Sequence, residues 1–233
     1  MKKTKGISLF LSLIMILLYA GGIYCQASKQ VYFNNKNSQM KIALTFDDGP
    51  HPRYTPQILD ILDKYGIKAT FFVIGQNAKE YPSALIETEK RGHEIANHTY
   101  SHITLSNSNL YRLEGEIERC ETEIFNVTEY KTKLFRPPEG MICSEMTSIA
   151  DGMDYTVILW NLDTRDWAHT PPDEIAQNVI NNVKAGDVIL MHDFIGRNSP
   201  TPKALELFIP VLLEKGYNFV TVSELIGDRK SVV

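Results

Sequence analysis

From Lys41 onward the chain alternates short apolar runs, rich in β-branched and aromatic residues, with stretches of helical periodicity, and that alternation leaves few folds open. The strand-like runs fall near residues 41–46, 68–74, 93–97, 132–136, 154–160, 187–192 and 217–222. Between them, Ile58, Ile61, Leu62 and Tyr65 recur at three- and four-residue spacing, as do Leu110, Leu113, Ile117 and Ile124. Residues 171–183 follow the same rule, with Pro172 in the first turn and Asp173 and Glu174 set against the positive helix end. Alternating strands and helices imply a parallel sheet covered by helices. Seven such repeats suffice to curl the sheet, so the expected fold is a distorted (β/α)7 barrel resembling an incomplete TIM barrel; an open doubly wound sheet is the alternative.

The ends of the chain read differently. Lys2, Lys3 and Lys5 precede an uncharged run from residue 6 to 24, the order of a secretory leader, and Cys25-Gln26-Ala27 offers small residues where a signal peptidase reads. Residues 1–27 are therefore expected to be a signal peptide or an N-terminal membrane anchor, the protein's sole membrane contact if it is retained; lipidation at Cys25 fits poorly beside the bulky Tyr24. Polar, aperiodic residues 28–40 are expected as a linker, 41–226 as one domain and 227–233 as a tail. A secreted, cell-surface or cell-wall location follows. Loss of the three leader lysines takes the formal charge from −4 to −7, which disfavours nucleic acid as a partner. Cys120 and Cys143 either pair or remain two thiols. A monomer is expected, although no feature of the sequence sets the oligomeric state.

Five polar clusters stand at the carboxyl ends of the strand-like runs, where loops of an alternating fold converge on one cavity. They are Asp47-Asp48-Gly49-Pro50, His98-Thr99-Tyr100-Ser101-His102, Arg136-Pro137-Pro138-Glu139-Gly140, Asp163-Thr164-Arg165-Asp166-Trp167 and His192-Asp193. His98 and His102 lie four apart, so on a helical turn their rings would share a face and suit two imidazole ligands on one metal, with Asp48 as a third. Three protein ligands leave a position for water, as in catalytic metal sites. Asp47 could then take a proton from that water. His192, held by an acid such as Asp166, is a candidate general acid. Arg136 could orient Asp47 through a charge-assisted hydrogen bond, or simply brace the barrel rim. Trp167 is placed to stack on a sugar or wall the site. Leu190 is core by default and pocket lining in a functional reading, and Trp160 is expected in the core. Asn97-His98-Thr99 matches a glycosylation signal by chance.

With all five clusters in order over about residues 41–226, the chain resembles the polysaccharide deacetylases of carbohydrate esterase family 4, the chitooligosaccharide-deacetylase homology group. The resemblance implies Asp47 as base, Asp48, His98 and His102 as ligands of a divalent metal (zinc foremost, cobalt or nickel as alternatives) and His192 as acid. It further implies that Arg136 positions Asp47, that Asp166 tunes His192, that Trp167 and Leu190 line an acetyl pocket, and that the backbone amide of Glu139 helps bind the oxyanion. Glu139 departs from the family, which commonly has an aromatic there, and should reshape the substrate groove. The implied reaction removes N-acetyl groups from N-acetylglucosamine units of peptidoglycan or a chitin-like glycan and releases acetate. An O-acetyl esterase acting on xylan-type polysaccharide, or a catalytically silent cell-wall glycan-binding protein, are the alternatives.

Overall fold

The computed structural model describes residues 31–36 and 39–227. The expected leader and the tail after Gly227 lie outside the described residues. Eight short parallel strands form one sheet: β1 (Lys41–Asp47), β2 (Thr70–Val73), β3 (Glu94–Asn97), β4 (Leu134–Phe135), β5 (Thr156–Val157), β6 (Leu162–Asp163), β7 (Val188–His192) and β8 (Asn218–Val220). Seven of them occupy the seven runs expected from the sequence. The eighth, β6, is two residues long, Leu162 and the first residue of the fourth polar cluster, Asp163, and no longer apolar run surrounds it to mark a strand.

The strand order is β5-β4-β3-β2-β1-β7-β6, with β8 pairing β1 off that path. The ends of the path, β5 and β6, do not pair with each other, so the curled sheet is an incomplete barrel. β1 has a split edge: its first half pairs with β8 (Lys41↔Asn218 to Ala43↔Val220) and its second with β2 (Thr45↔Thr70 to Asp47↔Phe72). Its other edge pairs with β7 from Ala43↔Val188 to Asp47↔His192. Near the gap, Tyr32 of the segment expected as linker exchanges hydrogen bonds with Val157 and Leu159 (3.0 and 2.8 Å), and Asn35 N donates to Gly186 O (2.8 Å).

The helices are α1 (Tyr54–Lys64), α2 (Gly75–Glu80), α3 (Pro82–Lys90), α4 (Leu113–Thr128), α5 (Ser144–Gly152), α6 (Pro172–Asn182), α7 (Thr201–Glu214) and α8 (Val222–Ile226). Alternate residues of β1 serve two cores. Ile42, Leu44 and Phe46 pack with Ile58, Leu59 and Leu62 of α1 and Leu205, Phe208 and Ile209 of α7. Ala43 joins Phe72, Ala96, Val188 and Val220 on the opposite face. Burial on both faces explains why these strands read as nearly continuous apolar runs, and each large side chain withdrawn from water contributes about 1.5–3 kcal/mol. Along the barrel-facing side of β1, Thr45 and Asp47 follow Ala43, so the same two-residue period that builds the core ends on a carboxylate.

Candidate active site

Strand register assembles the site. Asp47 is the Cα partner of both Phe72 and His192, Val73 pairs with Asn97, and Asn97 with Phe135, so His98 and Arg136 each stand one residue beyond a paired strand end. Arg136 is wholly buried. Its Nη1 donates to Asp47 Oδ1 (2.6 Å) and to Thr45 Oγ1 (2.9 Å), Nε to Ile158 O (3.2 Å) and Nη2 to Leu159 O (3.2 Å). The guanidinium lies 4.0 Å from the Phe72 ring centroid and 5.6 Å from that of Trp160. Burial lowers its pKa while Asp47 opposes the shift; an unpaired cation here would be costly, and the fork geometry satisfies it without water. Asp47 is thereby held by one oxygen, with Oδ2 3.8 Å from His98 Nε2.

Asp48 Oδ1 lies 3.5 Å from His98 Nε2 and 3.3 Å from His102 Nε2. The three ligand atoms fall within 4.8 Å of one another. Ligand atoms about 2.0–2.1 Å from a tetrahedral zinc are themselves about 3.4 Å apart, so two of these separations match such a cage. Asp48 Oδ1 is buried and has no hydrogen-bond partner, as expected of an atom shaped for a cation. His98 Nδ1 meets Arg136 O at 2.8 Å, which turns Nε2 toward Asp48. Against the cost of burial, His98 and His102 hold the Asp48 carboxyl below its usual pKa.

The histidine pair is not on a helical turn, which corrects the expectation from its spacing. Residues 98–102 form a loop with Thr99 and His102 in the left-handed region (φ 68° and 50°). Asn97 Oδ1 accepts from Thr99 N (2.9 Å), and Glu116 Oε2 of α4 accepts from Ser101 N and Oγ (2.8 and 2.9 Å). Side chains thus replace the helical ladder and bring the rings to 5.1 Å. Asp48 is also left-handed (φ 74°), its carbonyl held by Asn77 Nδ2 (2.7 Å). At Gly49 a Cβ would fall 2.1 Å from the Asp193 carboxylate, so only glycine fits the turn.

His192 ends β7 with Nδ1 2.8 Å from Asp166 Oδ1. Asp166 is fully buried and also accepts from His192 N (2.8 Å), Trp167 N (2.9 Å) and Thr201 Oγ1 (2.7 Å). Burial alone would lower the His192 pKa; the hydrogen bond and charge of Asp166 outweigh it and push it up to about 9. Asp47, Asp48, His98, His102 and His192 face one cavity of about 410 Å³. Trp160, Trp167 and Leu190 supply its apolar wall, and Glu139 and Asp163 its remaining acids. Trp167 is half exposed, with Nε1 3.4 Å from Asp163 Oδ1. Glu139, left-handed at φ 59°, accepts from Thr104 Oγ1 (3.0 Å). All ten sequence-derived site residues therefore meet here: nine line or directly brace the cavity, and Asp166 lies behind His192.

The sequence profile of the polysaccharide deacetylase family matches residues 34–158. A peptidoglycan-N-acetylglucosamine deacetylase of Bacillus cereus is 42% identical over 82% of this chain and 90% of its own length. The chain belongs to the polysaccharide deacetylase family. Among solved structures, a peptidoglycan N-acetylglucosamine deacetylase in complex with 4-naphthalen-1-yl-N-oxidanyl-benzamide superposes on this deacetylase with TM-score 0.77 at 34% identity, covering 83% of this chain and 91% of the other. A family 4 acetyl xylan esterase of Clostridium thermocellum in complex with a cobalt ion does so with TM-score 0.74 at 35% identity, covering 80% and 90%.

Several parts of the deacetylase site were not anticipated from the sequence. Trp160, expected in the core, is only partly buried and lines the cavity, because it stands just past β5 where the barrel is open. Its ring presses on the turn after Arg136: a Cβ on Gly140 would fall 2.6 Å from it. Thr45 and Thr201 anchor Arg136 and Asp166 from strands and helices distant in sequence, and no local pattern marks either. Asp193 is buried, accepts from Thr55 Oγ1 (2.5 Å) and is raised by burial to a pKa of about 7; its place in the fifth cluster was the available signal. Cys120 and Cys143 are separate thiols, Cys120 Sγ donating to Val73 O. Asn97 is fully buried, so the sequon there is unusable.

Proposed function

We propose that this protein removes N-acetyl groups from N-acetylglucosamine units of a polysaccharide, peptidoglycan foremost or a chitin-like glycan, releasing acetate. The observation that carries the reading is the pairing of Asp47 with His192 across β1 and β7, which sets a carboxylate and an imidazole on one cavity beside the Asp48, His98 and His102 cluster. That cluster would hold a divalent cation, zinc foremost with cobalt or nickel as alternatives, which supplies Lewis-acid polarisation of the acetyl carbonyl and acidifies a water.

The chain's own residues do the rest. Asp47, clamped at Oδ1 by Arg136, takes a proton from the attacking water through Oδ2. His192, kept protonated by Asp166, gives its proton to the leaving nitrogen as the carbon–nitrogen bond breaks, so an amine and acetate depart. The Glu139 backbone N–H assists the oxyanion. Trp167 and Leu190 enclose the acetyl methyl, and exclusion of water around them strengthens each charge interaction. The protein acts outside the cytoplasm, at the cell wall or secreted, through a leader in residues 1–27, as a monomer. Among the described residues no helix is long and apolar enough to cross a membrane.

A second reading, hydrolysis of O-acetyl esters, is supported by the likeness to the acetyl xylan esterase, since the same base, acid and cation site serve an ester. The deciding experiment measures acetate released from peptidoglycan, chitin oligomers and acetylated xylan, with and without chelator and added zinc. Release from the amide substrates that chelator abolishes and zinc restores is expected. Release from xylan alone would establish the esterase, and binding without release from any substrate would establish a silent glycan-binding protein.

A further inference from the structure

Two of the acceptors that hold Arg136 lie at the open edge of the barrel. β5 is the last strand of the sheet path, and the residues just after it bind the guanidinium: Ile158 O accepts from Nε and Leu159 O from Nη2, each at 3.2 Å. On one edge of this stretch, Ile158 N donates to Phe135 O of β4 (2.9 Å). The other edge faces the gap, where among the described residues no further strand of the sheet follows. Tyr32 covers that edge with its main chain: its N donates to Val157 O and its O accepts from Leu159 N, in a parallel bridge opposite Ile158. The Tyr32 ring packs on the cluster that contains Ala43, Ile158 and Phe72, and Phe72 is the ring against the guanidinium. The segment then crosses the gap. Asn34 bridges to Asp187, and Asn35 donates from N to Gly186 O (2.8 Å) and from Nδ2 to Leu225 O (2.6 Å). Residues 32–35, expected as linker, therefore form a strap tied down at both ends.

A two-residue strand gains little from one neighbour, and a side chain is fixed only as well as the groups it binds. We infer that Tyr32 is a positioning residue for the reaction: by pairing with residues 157–159 it fixes the two carbonyls that orient Arg136, and through Arg136 the carboxylate of Asp47. This rests on the base role proposed for Asp47. Tyr32 touches no reacting group and acts through the strand it pairs with. If the carbonyls of Ile158 and Leu159 shift, Nη1 alone, shared between Asp47 and Thr45, is left to hold the guanidinium. The working catalytic unit thus begins at the strap, ahead of β1.

Hydrogen exchange followed by NMR reads this link without any substitution. In the wild-type protein the Leu159 amide, bonded to Tyr32, and the Arg136 Nε–H should open together, with protection factors within about tenfold of each other. An Arg136 Nε–H protected on the order of a thousandfold more than the Leu159 amide would show that Arg136 stays fixed when the strap opens, and would overturn the inference. Tyr32→Pro removes the donor to Val157 and should speed Arg136 Nε–H exchange by about tenfold or more, while the Ile95 amide in β3 keeps its rate. Equal acceleration at Ile95 would mean general destabilisation and would overturn it too. In the same variant kcat for acetate release should fall about ten- to a hundredfold, the cost of a small misplacement of a reacting group. Tyr32→Phe, which keeps the main-chain pairing and the ring, should restore both readouts. In an Arg136→Lys background, whose side chain lacks the planar fork, Tyr32→Pro should cost about twofold or less. A similar loss in both backgrounds would show that Tyr32 does not act through Arg136. Absence of acetate from every substrate with the wild type would overturn the deacetylase reading instead, leaving the exchange rates to decide the role of Tyr32.

Discussion

At the scale of single residues, charges are placed by a second residue rather than by solvent. Arg136 fixes Asp47, and Asp166 fixes His192, each partner wholly buried. For His192 this has a measurable sign. Its folded pKa of about 9 lies above the ordinary value of about 6.5. The stabilisation from the pair is therefore complete below about pH 6.5 and is lost as pH rises through about 9. In metal-free protein, NMR titration of the His192 ring should give an apparent pKa near 9. Asp166→Asn should move it down toward about 6.5. An unmoved titration in that variant would show that another group sets the value.

At the scale of elements, the β2–β3 pair carries its own acid-sensitive joint. His93 lies just before β3, buried, with Nδ1 accepting from Ala69 N (3.3 Å) just before β2. Burial first, then the cations of Lys68 and Arg91, lower its pKa to about 4. Here the sign reverses: the folded state holds the ring neutral, so the unfolded state binds the proton first, and stability falls as pH drops from about 6.5 toward 4. The loss should be on the order of 2 kcal/mol, since each unit of difference is worth about 1.4 kcal/mol. Urea denaturation at pH 7 and pH 4.5, in wild type and His93→Gln, checks this. The fall should be smaller in the variant, and equal slopes would place the acid sensitivity elsewhere. Short elements elsewhere are completed by side chains: the loop over residues 98–102 leans on Asn97 and Glu116, and the Asp48 turn on Asn77.

At the scale of the whole molecule, the candidate cation cluster joins segments far apart in the chain, Asp48 after β1 and the histidines after β3. A ligand that binds only this folded arrangement stabilises all of it, by about 2.7 kcal/mol at a hundredfold excess over Kd. For a domain of this size that corresponds to roughly 5–10 °C in Tm. Zinc added to chelated protein should raise Tm by that order, and Asp48→Asn should remove most of the rise while the metal-free protein still melts cooperatively. A Tm indifferent to zinc, cobalt and nickel in the wild type would refute the cation assignment.

The sequence by itself determined the strand–helix alternation and the five polar clusters at strand ends, because periodicity and turn chemistry are local and are written in consecutive residues. It also carried the identities of the charged residues that now share the cavity. Only the tertiary structure decided the register that sets Asp47 beside His192, the split edge of β1, and the burial of Arg136 between Phe72 and Trp160. The same holds for Thr45 and Thr201 as anchors, and for the loop rather than helix that joins the two histidines. These depend on contacts between residues tens of positions apart, whose free energy is gained only when the core closes, so no window of neighbouring residues contains them.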